Sequence, residues 1–214
     1  MSRGSLYRSF APLHFAAMML SVIFVGCVDP VGDFEEYQKM ARSKASAPPP
    51  SCLPAPAEGD LDISGAFVGY CKVNFADPSQ ALMLRTLFSI KDGQLEANLT
   101  PLVTTATSLN DTAGDPPVIA AAPLIGNQFT MKFGLVKISG KANAISGSDI
   151  ELGDATFKGV LMSTDKVLAE LDGGLIKPFA LDLNPAGDVC VFVRSPDGVT
   201  LPTRPEAAAF ACAK

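Results

Sequence analysis

Three acids stand close together near the middle of the chain: Asp149, Glu151 and Asp154. On a strand, Asp149 and Glu151 share one face, and Asp154 follows in a turn after Gly153. Clustered carboxylates suit a hard cation such as calcium, so these three are the metal candidates, although they miss the twelve-residue calcium-loop pattern. A solvated strand face is the simpler explanation of them. Ser146-Gly147-Ser148 has the look of a nucleophile turn but lacks its flanking pattern and any base. The only histidine, His14, sits in an apolar run at the N-terminus, and the chain has no tryptophan. Beyond that run, Ser-His-Asp and Cys-His catalysis and histidine-ligated zinc are excluded. No P-loop, G-x-G-x-x-G or H-E-x-x-H occurs, so no cofactor is expected. A hydrolase working through paired carboxylates needs no histidine and stays open as the enzymatic alternative.

The apolar run belongs to a recognisable device. Arg3 and Arg8 precede residues 9–25, which carry no charge, and Gly26 and Cys27 follow. A basic head, a stretch too short for a stable span and a small residue at its end form a secretory signal over residues 1–26. Val25-Gly26-Cys27 resembles the lipobox of bacterial lipoproteins. That resemblance implies lipidation of Cys27, which becomes the new N-terminus, and attachment to a membrane through acyl chains. Val28 after the cysteine, in place of aspartate, implies the outer membrane by the same resemblance. Plain secretion or a periplasmic location is the alternative.

Charge narrows the partners. The chain has 17 Lys+Arg and 22 Asp+Glu, and two of the basic residues, Arg3 and Arg8, leave with the signal. An acidic remainder disfavours nucleic acid, whose phosphates need a basic footprint. With Cys27 assigned to lipid, Cys52, Cys71, Cys190 and Cys212 remain, an even set in an exported chain, so two disulfides are expected. Of the three pairings, Cys71–Cys190 with Cys52–Cys212 is favoured. Cys71 lies in the first strand and Cys190 in the last long one, and these meet when a meander closes.

Organisation follows from composition. Residues 27–59 hold the lipidated cysteine, a short helix capped by Asp33, and the proline-rich tether ASAPPPSCLPAPA. From residue 60 to 214, short apolar runs alternate with turn residues. Asp92-Gly93 between Leu82–Ile90 and Leu95–Leu102 signals a hairpin. Leu95, Ala97 and Leu99 alternate with Glu96, Asn98 and Thr100, which puts one face in a core. Val118–Ile125, interrupted by Pro123, reads as an edge strand. Phe129, Met131, Phe133 and Leu135 share a face in the next run. Gly153-Asp154 is expected to break a strand, Gly173-Gly174 with Pro178 to bend the chain, and Pro205–Lys214 to form a short terminal helix.

About eight strands with short connections predict an all-β domain. Its expected form is an antiparallel up-and-down meander, closed or partly closed as a barrel, with a β-sandwich as the alternative. Phe67, Phe75, Phe88, Phe129, Phe133, Phe157, Phe179 and Phe192 fall on strand faces. They either pack a core or line a barrel that holds a small apolar ligand. Ser64-Gly65-Ala66-Phe67 is similar to the opening glycine-aromatic of lipocalin-like and avidin-like folds. The layout of signal, helix, tether and meander resembles β-rich lipoproteins of myxobacteria-like genomes, a resemblance that brings no catalytic residues. The functional expectation is a membrane-anchored envelope lipoprotein with a non-enzymatic binding or structural role. Its partners would be a protein or an apolar small ligand.

Overall fold

The structure, a computed structural model, describes Ser51 and residues 53–178, 180–183 and 187–210. Among these, nine strands occur: β1 (Gly65–Lys72), β2 (Leu82–Lys91), β3 (Gln94–Pro101), β4 (Val118–Pro123), β5 (Gln128–Ile138), β6 (Ile150–Ser163), β7 (Lys166–Lys177), β8 (Leu181–Asp182) and β9 (Val189–Arg194). The tight turns are set by local chemistry. Asp92 and Gly93 take φ of 51° and 73°, and Gly126 and Asn127 take 57° and 59°. Paired left-handed residues match the natural twist of a hairpin, which is why β2–β3 and β4–β5 turn where they do.

The sheet order is β4-β3-β2-β1-β9-β7-β6-β5, with β8 added beside β7. Every pairing is antiparallel, and β9 returns to lie against β1. The result is a nearly closed, eight-stranded barrel-like meander rather than two stacked sheets. One seam stays unlaced. β4 and β5 lie side by side without a ladder, and the Ile125–Gln128 bridge at their turn is the one pairing between them among the described residues. Leu124 donates its N–H toward β3, to Gly93 O at 3.0 Å, and Ile125 donates toward β5, to Gln128 O at 3.0 Å. By alternation Pro123 turns its donor-less nitrogen to the β5 side, so the ladder cannot continue past the turn.

Inward positions along the strands build the main core. Phe67, Phe88, Phe192, Phe157 and Phe133 form a chain of edge-on rings with centroids 5.1–5.8 Å apart. Room for these rings comes from inward glycines: a Cβ on Gly69 would stand 2.6 Å from the Phe192 ring, and Gly159 lies directly under Phe129. A second, smaller core covers the outer face of β1, β2 and β9. It joins Val68, Tyr70, Met83 and Val191 to Leu102 and Leu109 of the β3–β4 connection and Phe210 of the tail. These strands are therefore buried on both faces, which accounts for the unbroken apolar run Val189–Val193.

Several expectations need correction. β6 passes straight through Gly153-Asp154, absorbing them as a bulge with Asp154 at φ 50°. β7 likewise continues through Gly173-Gly174 to Lys177. Register shifts around Gly134 (φ 67°) rotate Leu135 outward, where it is 56% exposed, and bring Val136 against the core. Phe75 lies beyond β1 and is exposed. The tail is a 3-10 turn, Ala207–Phe210, where a terminal helix was expected. The N-terminal helix, Cys27, Cys52, Phe179 and Cys212 lie outside the described residues.

Candidate functional site

The two ends of the barrel differ. At one end the strands are joined by the tight turns at 92–93, 124–127 and 164–165. The entering chain seals this end. Asn127 Nδ2 donates to Ala57 O (2.9 Å) and Gly59 O (2.6 Å), and Ile63 is fully buried. At the other end lie all the long connections, 73–81, 102–117, 139–149 and 178–188. They surround an open apolar mouth.

Polar side chains fix three of these connections. In 73–81, Asp77 accepts from Ser79 N (2.8 Å) while Gln80 Oε1 accepts from Asp77 N (3.2 Å), a reciprocal cap on a 3-10 turn. Buried Asp188 accepts from Asn74 N at 2.6 Å, and Arg204 donates to Pro78 O (3.2 Å) and Ser79 O. These bonds hold Phe75 at the rim. In 139–149, buried Asn143 gives Nδ2 to Ser146 Oγ and Ser148 O, both at 2.8 Å, and takes Ile145 N at 3.0 Å. Gly140 abuts the Gly147 carbonyl so closely that no side chain fits there. The loop is thereby folded over the mouth with Ile145 exposed beside it. Asp115 joins 102–117 to the same loop by accepting from Ser139 Oγ at 3.0 Å.

Inside the mouth is a cavity of ≈ 90 Å³. Val73, Leu82, Ile138, Leu152, Leu171 and Leu183 form its wall, with Phe75 and Ile145 at the rim. A deeper cavity of ≈ 40 Å³ follows toward Phe133 and Phe157. The barrel is thus packed with phenylalanine toward its sealed end, and its free space lies toward the mouth. The upper chamber is well below the ~300 Å³ at which drug-sized pockets begin. It suits a slender apolar group.

Cys71 and Cys190 sit opposite each other in the β1–β9 register and form a disulfide, with Cys71 on the cavity wall. Closure of the meander brings them together, as the sequence suggested. The acidic trio behaves differently. Asp149 precedes β6 and accepts from Gly140 N at 2.8 Å. Glu151 binds Lys177 Nζ at 3.0 Å and Lys137 Nζ at 3.6 Å, and the Lys177 hydrogen bond is the main reason its carboxyl sits below the usual range. Asp154 is exposed on the bulge. The three converge on no common point, and among the described residues no cluster of three His, Cys, Asp or Glu side chains could hold a metal. The Glu151 carboxylate is engaged by lysines, so it forms no free acid–base pair with Asp149. Ser146 and Ser148 belong to the loop held by Asn143.

No protein-family model, curated protein or solved structure matches this chain. The mouth itself was missed in the sequence because its wall is drawn from strand ends and loops far apart in the chain. The one available signal was the alternation of tight and long connections, which places all long loops at one end of any meander.

Proposed function

We propose that this protein is an exported, lipid-anchored module of the cell envelope that binds an apolar group in its mouth without catalysing a reaction. The observation that carries the binding part is the carbon-lined chamber at the open end, rimmed by exposed Phe75 and Ile145. Solvent-facing apolar groups gathered at a concave site favour association by the area they remove from water. The anchoring part rests on Arg3, Arg8, the apolar run and Val25-Gly26-Cys27. The Cys71–Cys190 disulfide is in keeping with an oxidising compartment. Location at the outer membrane follows from Val28 by resemblance alone.

An environment-sensitive apolar dye tests the binding part. Dye fluorescence should rise on titration with the purified protein and fall at least several-fold in affinity when Ile145→Glu charges the rim. Ile145 is exposed, so the fold tolerates the change. A dye that ignores the protein, or binds both forms alike, overturns the proposal. Native mass spectrometry of protein taken from its own envelope then identifies what the mouth carries.

A further inference from the structure

We infer that the mouth accepts a single unbranched acyl chain, methyl end first, and leaves the chain's polar head outside. The inference rests on the apolar-binding reading above and narrows it to one ligand shape.

Shape comes first. The two cavities share Cys71, Leu82, Ile138, Leu152 and Leu171 in their walls, so they adjoin. The rim residue Ile150 and the floor residue Phe157 both belong to β6, about 20 Å apart along the strand at ~3.3 Å per residue. Adjoining spaces of only ≈ 90 and ≈ 40 Å³, lined over that length of strand, are narrow. A chain suits them, whereas a fused-ring molecule would have to force the walls apart, against the dense packing around them.

Polarity sets the direction. No charged or amide side chain lines the deeper chamber. A polar head placed there would lose its water without a hydrogen-bonding partner, so the hydrocarbon end must lead. The polar side chains Gln80, Asn143 and Ser146 appear only in the upper chamber. Gln80 is committed to the Asp77 cap, and Asn143 and Ser146 are committed to each other. The rim therefore has little to offer a head group, and the head stays in water. Spaces this small hold one chain, so a free fatty acid and a single-chain lysolipid both fit and a two-chain phospholipid does not.

Displacement of the apolar dye by saturated fatty acids of rising length, kept below their micelle concentrations, tests this. Each added methylene should tighten binding about fourfold until the space is filled, after which affinity levels off. Ala155→Leu, placed in the deeper chamber, should bring that plateau to a shorter chain and leave short chains unaffected. Lysophosphatidylcholine should match the fatty acid of equal chain length within a few-fold. Dye binding with displacement independent of length, a sterol that competes better than any chain, or a more than tenfold preference between the two heads overturns the acyl-chain assignment while the broader binding reading stands. Failure of the dye to bind at all removes both.

Discussion

Cys71 on β1 and Cys190 on β9 face each other in direct register, with Cα atoms 4.0 Å apart, and their disulfide closes the barrel beside the upper chamber. The bond joins the first and last long strands across 119 residues of sequence. Chain-entropy arguments give about 5 kcal/mol for so long a loop, and measured effects run nearer 2–4 kcal/mol. Replacing both cysteines with serine should therefore lower the melting temperature by roughly 5–15 °C. An unchanged melting curve would show that the β1–β9 ladder closes the barrel without help.

Two glycine-to-alanine substitutions should differ in cause and size. Gly93 has φ 73° and nothing within 4 Å of the place where a Cβ would stand. Alanine there meets only the left-handed backbone penalty, about 1–2 kcal/mol. Gly69 has ordinary backbone, but its Cβ would press on the Phe192 ring at 2.6 Å. That overpacking costs about 1–3 kcal/mol and should be relieved by a second change, Phe192→Leu. Urea unfolding of the single and double variants checks both. Lack of rescue in the double variant would contradict the ring contact as the cause.

Acid should destabilise the protein through its turn aspartates. Asp197 accepts from Thr200 N at 2.7 Å, Thr200 Oγ1 at 2.7 Å and Val199 N at 2.9 Å, and these bonds hold its carboxyl well below the ordinary 3.8. Asp111 is lowered first by the Thr107 backbone bond, and Asp77 by Ser79. A depressed folded-state value means the stabilisation is present above the unfolded value and is lost as pH falls through the folded one. Stability should thus decline below about pH 4. Asp197→Asn should unfold more easily at pH 6 and show a shallower acid decline. Parallel urea midpoints for the two proteins between pH 2 and 6 would argue against this.

Anchoring has its own test. The Cys27→Ala variant should lose incorporation of labelled palmitate and move from the detergent phase to the aqueous phase. Retained partition into detergent would point to a different means of attachment.

Much of the fold was legible because each cue was local and physical. Asp92-Gly93 demanded a hairpin, Leu95–Leu99 alternated cleanly, Pro123 marked an edge, and the positions of Cys71 and Cys190 implied their meeting. The misreadings share a cause. Gly153-Asp154, Gly173-Gly174 and Gly134 are turn-like residues that the sheet takes in as bulges, where pairing on both sides overrides the local preference. One such bulge turned Leu135 to solvent. The outer core was illegible because Leu109 and Phe210 come from segments with no periodicity of their own. The mouth was illegible for the same reason: Phe75, Asn143 and Leu183 become neighbours only once the meander has closed.

The closing disulfide also makes everything from Cys71 to Cys190 a covalent ring. A protease that cuts the polar 102–117 or 139–149 connection opens the ring but releases nothing. The two pieces stay one molecule, still held by eight strands of hydrogen bonds, until a reductant parts them. Nicked protein should therefore run at full mass on a non-reducing gel and as two fragments after reduction. A single cut at either of these loops is therefore damage the molecule can outlast.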